Sequence, residues 1–273
     1  MKNAISIDLE DWFCPFNMIR FIRRDDWGKC ELRVVANTER LLLMLDAHRV
    51  RATFFVLGWI AEQAPDLIRE IASRGHEIAT HGYNHLLLTG STEAEFEEDL
   101  RKGLDALRHC GINDKILGYR APSFTIVSGT MWALRTLEKF GLQYDSSIFP
   151  IGFHPDYGVP DASLTPYQIT DHIIEFPMSC VEVLGKRFPC SGGAYFRFFP
   201  YAYTKWCFNR INAEGRPAIF YVHPWEIDPG QPRIGLPLSK RIRHYYGLAR
   251  TEGKLDRLLG DFEFTTLKEV LSL

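Results

Sequence analysis

Two kinds of hydrophobic pattern alternate along most of the chain. Short apolar runs are typical of buried strands, and longer stretches with apolar residues every three or four positions are typical of amphipathic helices. We predict strands over residues 5–9, 51–58, 76–82, 115–122, 142–150 and 173–179 and within 216–233, and helices over residues 33–48, 64–75, 91–111, 127–141, 252–260 and 266–272. This alternation predicts an α/β fold with a mainly parallel sheet and helices outside it.

The pattern becomes less regular after residue 150. Residues 151–200 are rich in proline, glycine and aromatic residues, which predicts long loops with short strands. The sequence has no internal repeat, low-complexity segment or flexible linker that would mark a boundary. We therefore predict a single domain over residues 1–273.

Composition and charge exclude some classes of protein. The 273 residues are 46% hydrophobic and 24% charged, as in ordinary globular proteins. A net charge of −2 argues against nucleic-acid binding, which usually needs a basic excess. No apolar run approaches the roughly 20 residues of a membrane span, and the first residues lack the layout of a signal peptide. We expect a cytoplasmic protein without a transmembrane segment, associated at most with the inner face of the membrane.

The cysteines do not suggest a disulfide framework. Six of them are scattered along the chain without a CxxC pair, at Cys14, Cys30, Cys110, Cys180, Cys190 and Cys207. Disulfide scaffolds are usually shorter chains with denser cysteines. We expect these thiols to be reduced and mostly buried.

Polar side chains recur where the predicted strands end. They are Asp8, Glu10 and Asp11, then His81 and His85, then Arg120, Asp145 and His223. Ligands of parallel α/β folds bind beyond the carboxyl ends of the strands. We therefore expect these side chains to form one site.

His81 and His85 form the sharpest pair in this set. A spacing of four puts two imidazoles on one side of a helical turn, and a suitable loop also brings them together. Two imidazoles and a carboxylate suit a catalytic Zn²⁺ with one open position. Two ordinary surface histidines are the alternative, but the acidic end of the first strand and His223 favour a metal site.

These motifs resemble a known family of hydrolases. The acidic end of the first strand, "HGYNH", "YRAP", "YDSS" and "IFYVHP" occur in the order of the polysaccharide deacetylases of the NodB-homology group, carbohydrate esterase family 4. The similarity runs from residue 4 to about residue 225. The segments "HPWEIDPGQPR" and "SGGAYFRFFP" further resemble a subgroup associated with bacterial exopolysaccharide and surface-glycan loci.

The resemblance implies both a fold and an activity. The fold is a distorted (β/α) barrel with fewer than eight strands, of the seven-stranded type. The activity is metal-dependent removal of N-acetyl groups from an amino sugar in a bacterial polysaccharide or its lipid-linked precursor. The substrate would be an N-acetylated glycan, and the metal Zn²⁺, with Co²⁺ as a substitute.

The resemblance also implies catalytic roles. Asp8 would be the general base, and His223 the general acid. Asp145 would pair with the His223 imidazole and raise its pKa, although a turn cap before two serines is its alternative role. Arg120 would pair with Asp8. A structural salt bridge between the two residues is the alternative role, and the two roles are compatible.

By the same resemblance, His81 and His85 bind the metal with a carboxylate from the first strand. Glu10 matches the family position that often holds aspartate, and Asp11 is the alternative ligand. Successive strand residues point to opposite faces. If the strand continues to this point, Glu10 shares a side with Asp8, which favours Glu10 over Asp11.

Substrate contacts follow from the resemblance and from nearby aromatic residues. Ser123 stands where the family usually has an aromatic residue, and its backbone N–H is the donor that the family uses for the developing oxyanion. Trp225 is the candidate wall of an acetyl pocket, and Tyr195 is a candidate for stacking on a sugar ring.

Two other functions remain open from the sequence. Glu10 and Ser123 depart from the family pattern, which would suit a glycan-binding or assembly protein on a catalytically decayed scaffold. An allantoinase-like hydrolase of a cyclic amide would keep the fold and change the substrate. The sequence identifies neither the sugar, its linkage or the acetyl type, nor the oligomeric state.

Overall fold

The computed structural model describes residues 1–154 and 157–273. Its helices and strands confirm the alternation that the hydrophobic pattern predicts. The strands are β1 (Asn3–Leu9), β2 (Thr53–Val56), β3 (Glu77–Thr80), β4 (Gly118–Tyr119), β5 (Tyr144–Asp145), β6 (Tyr167–Gln168), β7 (Ile174–Glu175), β8 (Cys180–Val183), β9 (Lys186–Pro189), β10 (Ile219–Val222) and β11 (Phe264–Thr265).

Most of the helices lie between successive strands of the sheet. They are α1 (Val34–His48), α2 (Gly58–Gln63), α3 (Pro65–Ser73), α4 (Glu93–His109), α5 (Ala133–Lys139), α6 (Gly193–Phe198), α7 (Tyr201–Ala213), α8 (Leu238–Tyr245), α9 (Leu248–Asp261) and α10 (Leu267–Leu271). In the described residues, short 3₁₀ helices cover Arg24–Lys29, Pro122–Phe124 and Pro224–Ile227.

Within residues 1–154 and 157–273, seven parallel strands form the core of the main sheet. They lie in the order β10-β1-β2-β3-β4-β5-β7. The two-residue β6 adds an antiparallel edge to β7, and β11 pairs with β1. β8 and β9 form a separate hairpin. The sheet curls into part of a barrel, so the predicted distorted (β/α) barrel is confirmed.

The register of this sheet brings the strand ends to one level. The residues aligned across it are Leu9, Val56, Thr80, Tyr119, Asp145 and Glu175. Glu10, His81 and Arg120 each come one residue after this level, on three different strands. On the other side of β1, Ile7 is aligned with Val222, so His223 follows at the level of Asp8.

The structure differs from the sequence prediction in strand length and in several helices. Residues 142–150 form a two-residue strand, since the adjacent strands β4 and β7 are themselves two residues long. Helices α6 and α7 lie in and after the segment that predicted loops, and α2 and α8 were also not predicted. α6 begins after Gly192, which has a φ of 135°, a backbone conformation that glycine adopts more readily than other residues. The single-domain assignment stays a prediction.

All six cysteines are free, and five are buried, with only Cys30 partly exposed. Among residues 1–154 and 157–273, no helix combines the length and the apolar character that crossing a bilayer would require.

Candidate active site

A cleft of about 910 Å³ opens at the carboxyl ends of the parallel strands. Its floor carries the side chains of Asp8, Glu10, His81, His85 and His223. Its walls include aromatic residues from α6 and from the loops after β5 and β10. The predicted gathering of strand-end polar residues is therefore present in the fold.

Glu10, His81 and His85 converge on one point of this floor. Glu10 Oε1 lies 2.9 Å from His81 Nε2 and 3.2 Å from His85 Nε2. All three side chains are almost completely buried. In the part of the chain that the structure describes, they form the one group of three or more potential ligands whose donor atoms could hold a metal ion.

Several features of these residues fit a divalent cation. Glu10 Oε2 and His85 Nδ1 are buried and lack a hydrogen-bond partner among the described residues, an arrangement that is costly in an apolar interior. The carbonyl of Arg120 lies 2.7 Å from His81 Nδ1, which leaves Nε2 directed at Glu10. Burial opposes ionisation of Glu10, but positive charge on His85 and the histidine hydrogen bonds hold its pKa well below the usual range. Two imidazoles and a carboxylate with room beside them match the donor set of a catalytic zinc site.

Asp11 is not part of this cluster, which corrects the alternative assignment. Its Oδ1 accepts the backbone N–H of Trp12, and its Oδ2 accepts those of Arg33 and Val34 at the start of α1. Burial raises the pKa of Asp11 to about 6 despite these hydrogen bonds. Asp11 therefore caps a helix, and Glu10 is the carboxylate that faces the histidines.

Asp8 and Arg120 form the expected ion pair, and both side chains are buried. Arg120 Nη1 donates to Asp8 Oδ1 at 2.5 Å and to Ser6 Oγ at 2.8 Å. Its Nε donates to the carbonyl of Ser146 at 2.9 Å, which fixes the guanidinium across two strands. The other carboxylate oxygen, Asp8 Oδ2, lies 3.8 Å from His223 Nε2.

The expected pairing of Asp145 with His223 is wrong. Asp145 instead accepts hydrogen bonds from the Oγ and the N–H of Ser147, as the turn cap that was its alternative role. Burial raises the pKa of Asp145, and burial together with the Asp145 charge raises that of the neighbouring Glu175. Because Asp145 follows the sheet register on β5, its carboxylate lies against β7 and away from β10.

Glu226 takes the place at His223 that Asp145 was expected to fill. Its Oε1 lies 2.5 Å from His223 Nδ1, and Arg197 Nε donates to its Oε2 at 2.7 Å. Burial opposes the charged imidazole, but the hydrogen bond and charge of Glu226, with Glu10 and Asp8 nearby, raise the pKa of His223 to about 9. The signal in the sequence was the "HPWE" segment, where a carboxylate follows the histidine by three residues in a 3₁₀ turn.

Ser123 lies on the cleft wall with an unusual backbone conformation. Its φ is 54° and that of Phe124 is 56°, in the left-handed region that non-glycine residues rarely adopt. Among the described residues, no hydrogen bond uses the Ser123 backbone N–H. Strain of this kind persists where the surrounding structure enforces it, often at functional sites.

Trp225 and Tyr195 both line the cleft, as the sequence analysis expects. The Trp225 ring stacks on His223, with centroids 5.3 Å apart and planes 29° apart. The Tyr195 hydroxyl lies 3.4 Å from that of Tyr157 on another wall. One aromatic ring therefore supports the candidate acid, and another lines the wider part of the cleft.

The loop that carries His81 and His85 is anchored to helices outside the sheet. Both oxygens of Asp99 on α4 accept backbone N–H groups, from Tyr83 at 2.8 Å and from Asn84 at 3.0 Å. Arg24 Nη2 donates to the His85 carbonyl at 2.8 Å. These contacts hold His85 in a left-handed conformation, with φ at 54°.

Three glycines allow this loop to approach the helices closely. Gly58 at the start of α2 donates its N–H to the Gly82 carbonyl at 2.8 Å. A Cβ on Gly103 of α4 would lie 2.8 Å from the carbonyl carbon and oxygen of Gly82, closer than real contacts allow. The absence of a side chain on Gly103 therefore sets the position of the histidine loop.

Gly103→Ala is expected to destabilise the fold by about 1 to 3 kcal/mol through overpacking and to weaken metal binding by displacing the loop. Thermal unfolding and zinc titration measure the two effects. Gly253→Ala is the matched control because Gly253 is also helical but has open space around it, so alanine should be neutral or slightly stabilising there. Equal stability of Gly103→Ala and the wild-type protein would contradict the close-approach argument.

Comparisons with known families divide the chain into two matched segments. Residues 25–144 match the polysaccharide deacetylase family. Residues 146–272 match a domain of unknown function, DUF3473. The first segment contains the histidine pair and Arg120, and the second contains His223 and Glu226.

Two curated deacetylases are similar in sequence to part of this chain. A peptidoglycan-N-acetylglucosamine deacetylase of Bacillus cereus is 37% identical over 87 residues, which are 32% of this chain and 29% of that protein. A chitooligosaccharide deacetylase of Rhizobium leguminosarum bv. trifolii is 39% identical over 70 residues, 26% of this chain and 33% of the relative. The chain thus spans about a third of the length of these relatives.

The fold extends over almost the whole chain in one solved structure, that of a candidate polysaccharide deacetylase from Mycobacterium smegmatis. It aligns with a TM-score of 0.63 and 22% identity over 99% of this chain and 90% of the other. At this identity, the likeness establishes the shared fold.

Proposed function

We propose that this chain, whose residues 25–144 match the polysaccharide deacetylase family, is a metal-dependent hydrolase that removes N-acetyl groups from an amino sugar. The substrate is a bacterial polysaccharide or its lipid-linked precursor. The observation that carries this proposal is the Glu10–His81–His85 cluster, which shares the cleft floor with the Asp8–Arg120 pair and His223.

Glu10, His81 and His85 would hold the cation, with Zn²⁺ preferred and Co²⁺ as a substitute. When bound there, such an ion acidifies water and polarises a carbonyl, the two requirements of amide hydrolysis that side chains alone meet poorly. All three ligands are almost completely buried and lie on the floor of the cleft.

Asp8 is the general base. Arg120 donates a hydrogen bond to Asp8 Oδ1, so Asp8 Oδ2 is the oxygen that faces the cleft and His223. The ion pair keeps the carboxylate in one orientation, so that proton abstraction requires no rearrangement of Asp8.

His223 is the general acid, which protonates the leaving nitrogen. Its Nδ1 is held by Glu226, so its Nε2 is the atom directed toward Asp8 and the reacting centre. A pKa raised to about 9 keeps the imidazole protonated at neutral pH. Arg197 holds Glu226 ionised and in place, since burial would otherwise favour its neutral form.

The cleft wall supplies the remaining contacts. The Ser123 N–H has no partner among the described residues and lies on the wall, where it can donate to the developing oxyanion. Trp225 bounds the acetyl group, and Tyr195 presents a ring to the apolar face of a sugar. These contacts suit an N-acetylated glycan better than a small cyclic amide, which would leave most of a 910 Å³ cleft empty.

The biological setting is exopolysaccharide or surface-glycan synthesis at the cytoplasmic side of the membrane. Support comes from "SGGAYFRFFP" and "HPWEIDPGQPR", both within the DUF3473 segment and both in contact with the cleft. Phe198 from the first motif and Trp225 from the second line its wall.

Acetate release from an N-acetylated chitooligosaccharide tests the proposal. We expect release by the zinc-loaded protein, loss of release with a chelator and recovery with Zn²⁺ or Co²⁺. Ring opening of allantoin without acetate release would favour the cyclic-amide alternative. Tight glycan binding with neither metal binding nor turnover would favour the decayed, glycan-binding alternative.

Glu226→Gln is expected to shift the pH profile of kcat/KM. Loss of the carboxylate lowers the pKa of His223 from about 9, so the acid loses its proton at lower pH. The alkaline midpoint should therefore move down by about one pH unit or more. Profiles of wild type and variant at the same zinc loading measure the shift.

Asp145→Asn is the control for this experiment, because Asp145 does not contact His223. Its alkaline midpoint should match that of the wild-type protein. A shift with Asp145→Asn and none with Glu226→Gln would reverse the two assignments.

A further inference from the structure

Exposed apolar side chains concentrate beside the mouth of the cleft. We call this set the rim patch, and its members are Phe198 (40% exposed), Phe199 (42%), Leu238 (63%), Ile242 (45%) and Tyr246 (42%). Large exposed apolar patches on soluble proteins usually mark interaction sites, whereas single exposed residues do not.

The rim patch is one continuous surface. The rings of Phe198 and Tyr246 stack with centroids 4.8 Å apart and planes 14° apart. Arg197 joins α6 to α8 by donating to the carbonyls of Arg243 and Tyr246. Phe198, Phe199 and Ile242 also line the cleft, so the patch borders its opening.

Basic residues are frequent in the segment that carries Leu238, Ile242 and Tyr246 of the patch. Residues 229–251 contain no aspartate or glutamate, although the whole chain has a net charge of −2. The basic residues in this segment are Arg233, Lys240, Arg241, Arg243 and Arg250. Within residues 1–154 and 157–273, the salt bridges include none of these five side chains. Four of the five, all except Lys240, are exposed to solvent.

Helix α8 combines both properties on its exposed side. Leu238 and Ile242 are four residues apart and so share one face of the helix. Arg241 and Arg243 flank this face and are exposed as well. Apolar residues bordered by lysine and arginine are typical of helices that lie in the interface of a bilayer.

We propose that the rim patch docks on the surface of an anionic lipid bilayer, with the cleft opening beside the membrane. Charge complementarity favours this occupant, since lipid headgroups supply the anions that the segment 229–251 lacks. The apolar side chains enter the boundary between headgroups and acyl chains. In the proposed function, on which this last step rests, the docked orientation brings lipid-linked glycans to the cleft.

Vesicle flotation of the full chain tests the docking. We expect binding to phosphatidylcholine vesicles that contain phosphatidylglycerol, weaker binding at high salt and little binding to phosphatidylcholine alone. Leu238→Ser/Arg241→Ser should weaken binding by about fivefold for the lost charge and by about tenfold for the lost leucine. Neither residue lines the cleft, so acetate release from a soluble chitooligosaccharide should be unchanged.

The matched control is Leu43→Ser/Arg135→Ser. Leu43 is 64% exposed on α1, nearly the same as Leu238, and Arg135 is exposed on α5. This variant should bind vesicles like the wild-type protein. Equal binding to both kinds of vesicle, equal losses in both variants, or no binding at all would overturn the proposal.

Two further measurements distinguish membrane docking from dimerisation and from the proposed hydrolase activity. A dimer in solution that only Leu238→Ser/Arg241→Ser disrupts, without vesicle binding, would make the patch an interface between two copies and overturn membrane docking. Acetate release without vesicle binding would overturn the docking alone, and vesicle binding without acetate release would overturn the proposed hydrolase alone.

Discussion

Asp8→Asn is expected to lower kcat for acetate release by roughly three orders of magnitude. Asparagine keeps the size of the side chain and its hydrogen bond with Arg120 at Oδ1, but it cannot accept a proton from water. Because Asp8 is outside the Glu10–His81–His85 cluster, the variant should still bind one zinc ion. Loss of turnover with metal retained is the signature of a missing base.

Initial rates of acetate release and zinc content measured on the same sample distinguish these effects. Asp25→Asn is the control, since Asp25 is exposed in the 3₁₀ turn before α1 and lies apart from the cleft. Its rate should equal that of the wild-type protein. Full activity of Asp8→Asn would refute the assignment of the base.

His85→Ala is expected to weaken zinc binding by at least roughly a hundredfold, since even partners that only orient a ligand contribute ten- to hundredfold. It removes one of three ligands and leaves Glu10 with the single imidazole of His81. The metal would then no longer raise the melting temperature at zinc concentrations that stabilise the wild-type protein. Acetate release should fall by about a thousandfold or more at limiting zinc.

The control for this variant is His109→Ala, at the exposed carboxyl end of α4. It removes an imidazole of the same type at a distance from the cleft, so zinc should stabilise it as it does the wild-type protein. Comparable zinc affinity in His85→Ala and the wild-type protein would remove His85 from the ligand set.

The sequence predicted where the polar side chains of the site would gather because parallel register leaves little freedom in the position of residues at strand ends. Once β1 to β4 pair in parallel register, Glu10, His81 and Arg120 each follow the same level of the sheet by one residue, with β2 between β1 and β3. The same argument predicted His223 on β10. The choice between Glu10 and Asp11 needed the structure, since it depends on how the chain turns toward α1 after Leu9.

The pairing predicted between Asp145 and His223 was wrong because strand register alone does not decide which side chains meet. Position at a strand end specifies the level of a residue but not its neighbour across a curled sheet. Asp145 lies on β5 beside β7, while His223 directly follows β10, which pairs with β1. The actual partner, Glu226, is three residues from His223 in a short turn, where local geometry decides the contact.

Helix prediction succeeded where caps and periodicity agreed. Helix α4 begins after Thr92 with a complete capping box and ends close to Gly111, as its pattern indicated. Helix α7 was missed because aromatic residues cover both its buried and its exposed sides, as Phe208 and Trp206 illustrate. Helix α8 was missed because its exposed apolar residues obscure the usual division into buried and solvent faces.

The central claim is that Glu10, His81 and His85 together bind one divalent cation. Anomalous diffraction at the zinc edge from crystals soaked in Zn²⁺ tests it most directly. We expect one strong peak on the cleft floor, within coordination distance of a Glu10 oxygen and a nitrogen from each histidine. A cleft floor without a peak, or with His81 and His85 turned away from Glu10, would contradict it.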